Sequence, residues 1–210
     1  MDSTIYPLFS TPVYMSKVNL DVEYKKNLVE NTDFTRISTN DGHISVNKYI
    51  LNDDNFIGLK EQIEQHIDIF LRDDLKVNEN QKLYLTNSWM MKHSKGDYSP
   101  IHNHQHSIIS GIVYLKCDED SGELNFHKET TAYNIFPPIF DFDYDEWNIL
   151  NSSSWTISPE ENQIILFPSI MSHSVEMSKS NQSRFCVAFN TFVKGEFGLN
   201  EADLMSRLSL

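Results

Sequence analysis

Two short segments of the chain hold histidines at spacings that suit a metal ion. His102, His104 and His106 occupy alternate positions, and His173 follows an apolar run and Pro168 much further along the chain. Side chains alternate along a β-strand, so His102 and His104 would project from one face of a strand about 7 Å apart. Two imidazoles at that separation can converge on one ion, at about 2.1 Å each. The spacing predicts a metal site formed by His102, His104 and a third ligand, His173.

A pair of histidines is a weak motif by itself, and two alternatives stay open. The segment could be a polar surface strand with scattered histidines. His106 has the same parity as His104 and could replace it as the ligand. The apolar run Ser107–Leu115 follows directly, which favours a position beside a buried strand.

Arg184 is the second residue that could do chemistry. It opens the apolar run Phe185–Phe192, shortly after His173. A guanidinium at the start of a core strand is costly to bury without an anion, and it can bind a carboxylate through two parallel hydrogen bonds. The sequence therefore predicts a carboxylate ligand beside the histidines. The alternative is a surface arginine at a strand end.

Hydrophobic periodicity divides the chain into a helical first part and a strand-rich second part. Apolar residues recur at three- and four-residue spacing from Asp54 to Asp74, which predicts a helix, and residues 21–31 predict a shorter one. Residues 5–15, with two prolines, predict an extended segment at a sheet edge. Strands are predicted from the β-branched and aromatic runs Lys82–His93, Ile101–Lys116, Gly122–His127, Gln163–Phe167 and Arg184–Val193. This order predicts a mainly β chain with flanking helices, of the α+β class.

The length of 210 residues predicts one domain rather than two. Residues 1–80 would form a supporting helical and strand segment, and residues 81–195 the β core. Residues 129–155 form a long insert rich in aromatic and acidic residues. Such an insert is more often a lid or binding element than disorder, although its aromatic side chains could also patch the core.

Composition limits the partners and the compartment. The formal net charge of −13 predicts no binding to nucleic acid, because the average field of the protein repels phosphate. No apolar run is long enough to predict a membrane span. Two cysteines, Cys117 and Cys186, are too few for a disulfide framework and predict a cytoplasmic protein, in the host cytoplasm if the chain is viral.

These residues resemble a known family, the 2-oxoglutarate/Fe(II)-dependent oxygenases, in the order HxH, His173 and Arg184. The segment Lys95–His102 is similar to the prolyl-4-hydroxylase branch. A closer likeness is to an oxygenase group common in marine phages and bacteria. The blocks that carry it are Ser10–Val13, Asn87–Trp89, Gly96–Tyr114, Phe167–Val175 and Arg184–Asn190.

The resemblance implies a double-stranded β-helix (a jelly roll, cupin-like) that binds Fe(II) and uses 2-oxoglutarate and O2. His102, His104 and His173 would hold the metal. Arg184 would pair with the distal carboxylate of 2-oxoglutarate, and Tyr114 and Asn87 would help to hold this cosubstrate. The prime substrate would be a peptide side chain or a small molecule, and a homodimer is left open.

One position departs from the wider family. The family carboxylate stands where this chain has His104. Three neutral imidazoles leave the charge of the centre at +2, where a carboxylate would lower it to +1. Imidazole suits iron, but this ligand set leaves zinc, nickel or copper as further occupants.

Two other functions are consistent with parts of the sequence. A cupin-type metal enzyme that does not use 2-oxoglutarate would share the spacing from Gly96 to His104. This chain, however, lacks the glutamate expected of a cupin after the histidines, since Ile108 and Ile109 stand there. A cupin-type enzyme would also have no use for Arg184. A non-catalytic binding protein on a jelly-roll scaffold would bind no metal.

Overall fold

A computed structural model describes residues 2–38, 40–128, 142–198 and 208–210. The described part contains twelve strands and two α-helices. In chain order they are β1 (Tyr14–Lys17), α1 (Val22–Glu30), β2 (Phe34–Arg36), β3 (His43–Ser45), α2 (Ile57–Ile69), β4 (Gln81–His93), β5 (Ser99–His102), β6 (Ile109–Lys116), β7 (Leu124–His127), β8 (Ser154–Ile157), β9 (Gln163–Pro168), β10 (His173–Val175), β11 (Arg184–Phe197) and β12 (Leu208–Ser209).

The strands form two antiparallel sheets. The larger sheet has the order β1-β9-β6-β11-β4-β3-β2, with β12 paired to β11, and the smaller has the order β5-β10-β7-β8. The chain passes back and forth between them, from β4 to β5, from β6 to β7, and from β9 through β10 to β11. This alternation is the double-stranded β-helix that the sequence resemblance implied, so the fold prediction is confirmed.

Two hydrophobic layers hold the sheets in place. Helix α2 packs its buried stripe of Leu59, Ile63 and Ile67 on the outer face of the larger sheet, where Val187 and Phe189 of β11 lie. A second layer fills the space between the sheets. It contains Tyr114, Leu124, Phe126, Ile165, Phe167, Val175 and Cys186. Because side chains alternate along a strand, β11 serves both layers, and Arg184 and Cys186 belong to the inner one.

The helical predictions are confirmed, whereas the edge prediction holds only at the end of its segment. Of residues 5–15, only Tyr14 and Met15 lie in the edge strand, and the chain turns at Leu8 and Phe9, where Phe9 has a φ of 61°. Helix α1 falls within residues 21–31 and is capped by Asp21, whose side chain accepts a hydrogen bond from the Tyr24 amide at 2.8 Å. The segment from Asp54 to Asp74 is helical, with a 3₁₀ turn at Asp54–Phe56, helix α2 and a wide final turn at Phe70–Asp74. Strand β1 lies at the edge of the larger sheet, after the two prolines.

One strand prediction is wrong. Ile101–Lys116 is two strands, β5 and β6, which belong to different sheets. The chain turns between them at Gln105 and His106, and His106 adopts a positive φ of 59°. His104 therefore lies beyond the end of β5 rather than on a strand with His102.

Five further strands of the described chain were not predicted. Strands β2 and β3 form a hairpin within the supporting segment, β8 overlaps the last two residues of the insert, and β10 and β12 are short strands later in the chain. Of the insert, residues 129–141 lie outside the described residues, including Tyr133, Phe136 and Phe140. The role of the insert as a lid stays a prediction.

Two predictions from composition concern the cysteines and membrane-spanning segments. Cys117 and Cys186 are both free thiols. No helix in the described ranges has the length and apolar character needed to cross a bilayer.

Candidate metal and cosubstrate site

Strand register brings the first two histidines together. His102 is the last residue of β5, and His173 is the first residue of β10. The two stand directly opposite each other in the antiparallel ladder. Their ring centroids lie 4.3 Å apart. Directly opposed residues project from the same face of a sheet, so the backbone pairing alone sets both rings side by side.

His104 joins them from the connection between the sheets. Its amide donates a hydrogen bond to the Ser169 carbonyl at 2.9 Å, which ties the connection to the segment just after β9. Its ring centroid is 5.3 Å from that of His102 and 5.0 Å from that of His173. One nitrogen from each of the three rings lies within 4.8 Å of the other two, a spacing at which they could hold one metal ion.

Hydrogen bonds fix which nitrogen of His102 and His173 is available. His102 Nδ1 lies 2.8 Å from the Pro100 carbonyl, and His173 Nδ1 lies 2.9 Å from the Met171 carbonyl. A carbonyl oxygen can only accept, so each Nδ1 carries the proton and each Nε2 offers its lone pair. This is the arrangement of a metal-binding histidine whose second nitrogen is held by the protein.

Two side chains from the larger sheet orient His104. Its Nδ1 lies 2.7 Å from Asn190 Oδ1 on β11 and 2.7 Å from Ser110 Oγ on β6. Asn190 Nδ2 donates to Asn87 Oδ1 at 3.1 Å, which turns the Asn190 oxygen toward the histidine. His104 Nδ1 therefore donates to Asn190, and its Nε2 is also available.

Burial keeps the rings of His104 and His173 neutral. Loss of hydration lowers the pKa of His173 to about 3, with smaller effects from the Met171 backbone and from neighbouring histidines. It also lowers the pKa of His104, against the hydrogen bond that His104 donates to Asn190, which raises it. A neutral imidazole is the form that binds a metal, so these rings need lose no proton to do so.

Arg184 lies in the inner layer, 1% exposed. Its Nη1 donates to the carbonyls of Ser121 at 3.3 Å and Gly122 at 3.0 Å, and its Nη2 contacts His93 Nδ1. Within the described chain its Nε–H has no hydrogen-bond partner. No carboxylate of the described residues forms an ion pair with it.

Tyr114 is the second buried donor without a partner. Its ring centroid lies 5.9 Å from Arg184 Cζ, the side chain is fully buried, and its hydroxyl bonds to no atom of the described residues. Burial raises its pKa, so the phenol keeps its proton and can donate it. Buried donors rarely lack acceptors in folded proteins. The Nε–H of a guanidinium with no ion pair and the Tyr114 hydroxyl beside it together fit a carboxylate ligand.

The remaining sequence-predicted residues have different positions. His106 is exposed in the turn and is outside the group of three histidines that could hold a metal. Asn87 contacts Asn190 and Thr86, so it lies behind His104 rather than beside the two unpartnered donors. A cosubstrate contact by Asn87 stays a prediction.

Sequence reasoning gave no role to Asn190, Ser110 and His93. A signal for the first two was present, because Ser110 lies in the Gly96–Tyr114 block and Asn190 closes the Arg184–Asn190 block. Asn190 also shares the strand parity of Arg184, which directs both into the inner layer. No comparable signal marked His93.

The fold and the site together define a class of protein. A double-stranded β-helix with three converging histidines and a buried arginine that forms no ion pair among the described residues fits a metal-dependent oxygenase. Residues 87–190 match the model of the family described as "Putative 2OG-Fe(II) oxygenase". The chain belongs to this family, whose members are oxidoreductases that use Fe(II), 2-oxoglutarate and O2.

Solved structures share this fold at low sequence identity. An oxidoreductase of the 2OG-Fe(II) oxygenase family from Burkholderia pseudomallei is 12% identical with a TM-score of 0.60, over 85% of this chain and 83% of that chain. HygX from Streptomyces hygroscopicus, solved with nickel and 2-oxoglutarate, is 10% identical with a TM-score of 0.59, over 86% and 82%. A prolyl hydroxylase from Trichoplax adhaerens, in complex with a peptide fragment of hypoxia inducible factor, is 12% identical with a TM-score of 0.58, over 88% and 85%. No curated protein sequence matches the chain.

Proposed function

We propose that this oxygenase is a hydroxylase of a peptide side chain or a small molecule. In this proposal His102, His104 and His173 hold the Fe(II), and Arg184 and Tyr114 bind the distal carboxylate of 2-oxoglutarate. The observation that carries the proposal is the combination of three histidine nitrogens within 4.8 Å of one another with two unpartnered buried donors, the Arg184 Nε–H and the Tyr114 hydroxyl.

The donor set fits the metal. Three neutral nitrogens from one small group can occupy one face of an ion and leave the other positions open for ligands. They leave the centre at +2, which favours a dianionic cosubstrate. The low pKa of His173, caused first by burial, also reduces proton competition for its nitrogen.

Arg184 and Tyr114 fit the far end of the cosubstrate. The hydrogen bonds to the carbonyls of Ser121 and Gly122 leave the positive charge of the guanidinium uncompensated, and Tyr114 offers one neutral O–H. Charge-assisted hydrogen bonds to a carboxylate are strong when water is excluded, and both side chains are buried. These residues bind and orient the cosubstrate so that its keto acid end faces the histidines.

Fe(II), 2-oxoglutarate and O2 together supply the oxidising chemistry, in which the cosubstrate is converted to succinate and CO2 and the prime substrate is oxidised. The residues of this chain hold the reactants and exclude water. Phe126 and Phe167 line the site on the side of His173, since their ring centroids lie 6.3 Å and 4.8 Å from that of the His173 ring. Apolar walls beside the metal would limit the loss of oxidising equivalents to solvent.

The two substrate classes rest on the related structures. HygX is solved with hygromycin B, and the Trichoplax prolyl hydroxylase with a peptide. Trp89, whose ring centroid lies 5.8 Å from that of His104, would give either substrate an aromatic contact. We further propose that residues 1–210 act as one domain, with a support at 1–80, a core at 81–195 and a covering element at 129–155.

The deciding experiment is anaerobic reconstitution with Fe(II), followed by addition of O2 and measurement of succinate formed from 2-oxoglutarate. We expect slow succinate formation without prime substrate, none with Zn(II) in place of Fe(II), and loss of turnover in Arg184→Gln. A cupin-type metal enzyme would bind metal but leave 2-oxoglutarate intact. A purely binding protein would show no thermal stabilisation by metal or 2-oxoglutarate.

A further inference from the structure

His93 and Arg184 form a buried contact between neighbouring strands. They are directly paired across β4 and β11, each is 1% exposed, and Arg184 Nη2 lies within hydrogen-bonding distance of His93 Nδ1. A guanidinium has no acceptor, so it must donate and His93 Nδ1 must accept. The imidazole proton is therefore on Nε2, which lies 3.4 Å from Ser99 Oγ.

The charge of His93 is settled by its surroundings. Burial, and then the positive charge of Arg184, lower the pKa of His93 to about 3, against weaker opposing effects from Asp97 and Asp41. The His93 ring is neutral when its Nδ1 accepts a hydrogen bond from Arg184, because a protonated Nδ1 has no lone pair to offer. The three acceptors that the described residues offer the guanidinium, which are His93 and the carbonyls of Ser121 and Gly122, are thus uncharged.

A second contact holds the His93 ring in place. Gly42, in the turn between β2 and β3, approaches the ring so closely that a Cβ there would lie 2.4 Å from His93 Cδ2 and 2.7 Å from the Lys92 carbonyl. Gly42 also has a φ of +76°, which favours glycine. The β2–β3 hairpin therefore packs against the side of the imidazole and limits its rotation.

We propose that His93 is a positioning residue for cosubstrate binding. It holds the guanidinium of Arg184 so that the Nε–H is free toward the ligand. Because His93 is a neutral acceptor, the positive charge of Arg184 remains available for the cosubstrate carboxylate. This rests on the proposed role of Arg184. An aspartate or glutamate in the same place would orient the arginine equally well but would neutralise it. The chain uses an acceptor without charge where an ion pair would compete with the ligand.

The test compares two isosteric substitutions that differ in charge. His93→Asn keeps a neutral acceptor near the position of Nδ1, and His93→Asp replaces it with a carboxylate. The measurement is the Kd of 2-oxoglutarate for the Ni(II)-loaded protein by calorimetry, with 2-oxopentanoate, which lacks the distal carboxylate, as a second ligand.

We expect the Kd of 2-oxoglutarate to rise less than about 3-fold in His93→Asn and more than about 10-fold in His93→Asp. The Kd of 2-oxopentanoate and of Ni(II) should be alike in both variants. Equal effects on 2-oxoglutarate, or effects of the same size on both keto acids, would overturn the proposal in favour of a structural role. Wild-type protein that binds metal but no 2-oxoglutarate would instead refute the proposed function.

A second pair of variants reaches His93 without replacing it. Gly42→Ala and Gly96→Ala both place a side chain at a positive φ, of 76° and 89° respectively. Only the alanine at position 42 contacts the His93 ring, because nothing lies within 4 Å of a Cβ at Gly96. We expect a several-fold weaker affinity for 2-oxoglutarate in Gly42→Ala than in Gly96→Ala, at equal affinity for Ni(II). Equal affinities of the two for 2-oxoglutarate would contradict the role of His93, and this pair decides the matter if His93→Asp does not fold.

Discussion

His102 and His173 hold their rings in the same way, each by a hydrogen bond from Nδ1 to the carbonyl two residues earlier in its own chain segment. Because the two residues also face each other across β5 and β10, backbone atoms alone orient both imidazoles of the proposed metal site. His104 has no such backbone support for its ring and depends on the side chains of Asn190 and Ser110. Substitutions in the larger sheet can therefore alter one of the three proposed metal ligands and leave the other two unchanged.

The first prediction concerns Asn190. Asn190→Leu removes the acceptor that orients His104, and we expect the metal affinity to fall by about 10- to 100-fold, the usual effect of losing such a partner. Asn190→Asp should act in the opposite direction, because a carboxylate accepts the Nδ1 proton more strongly and lowers the charge of the centre. Chelator competition measures both affinities. Equal metal affinity in the two variants would contradict this role of Asn190.

The second prediction concerns the position of the family carboxylate. His104→Asp restores the ligand type that the wider family has there and lowers the charge of the centre from +2 to +1. We expect Fe(II)-dependent formation of succinate to persist in His104→Asp and to be lost in His104→Ala. The assay is the same succinate measurement as for the wild type. If the aspartate variant were as inactive as the alanine variant, His104 would have a role other than that of a metal ligand.

The sequence predicted the elements that have their own periodic pattern. The helix from Asp54 to Asp74 follows from its buried stripe, and β4 and β11 follow from long β-rich runs. The division of Ile101–Lys116 into two strands was missed because residues on both sides of the turn favour strands. No glycine or proline marks the turn, and His106 takes the positive φ that a glycine would have signalled.

The site was predictable in the same uneven way. His102, His104 and His173 could be found from local spacing and resemblance, although His104 reaches the site from a connection and not from the strand that the spacing assumed. Asn190, Ser110 and His93 could not, since their roles depend on side-chain contacts between strands far apart in sequence. Such contacts arise from the register of β4, β6 and β11, which a single sequence does not reveal.

The third prediction separates ligand binding from stability at Tyr114. The Tyr114 hydroxyl is buried without a partner in the described part of the chain, so Tyr114→Phe removes an unsatisfied polar group. We expect the free energy of unfolding of the ligand-free protein to stay unchanged or to rise by about 1 kcal/mol. The Kd of 2-oxoglutarate should rise several-fold. Denaturant unfolding and calorimetry on the same preparation check both, and a less stable variant with wild-type affinity would contradict the proposed hydroxyl contact.

The fourth prediction concerns Arg184 and the geometry of its fork. Arg184→Lys keeps the charge but loses the two-pronged geometry and the hydrogen bonds to Ser121 and Gly122. We expect the Kd of 2-oxoglutarate to rise at least about 10-fold in Arg184→Lys and further in Arg184→Gln, with metal affinity unchanged in both. Calorimetry with 2-oxoglutarate and with Ni(II) measures these changes. Wild-type binding of 2-oxoglutarate in either variant would exclude Arg184 from the cosubstrate site.

The last prediction is a pH dependence of stability that originates at His93. Its pKa is lowered to about 3 in the folded protein, first by burial and then by Arg184, whereas an unfolded histidine titrates near pH 6.5. Between these values the unfolded state binds one more proton at this position, so the unfolding free energy decreases as the pH falls through this window, by at most about 1.4 kcal/mol per pH unit. His93→Asn removes this contribution and leaves the other histidines in place. Denaturant unfolding of the metal-free proteins from pH 7 to pH 4 should therefore show a steeper loss of stability in the wild type than in the variant, and parallel curves would mean that His93 is not held neutral beside Arg184.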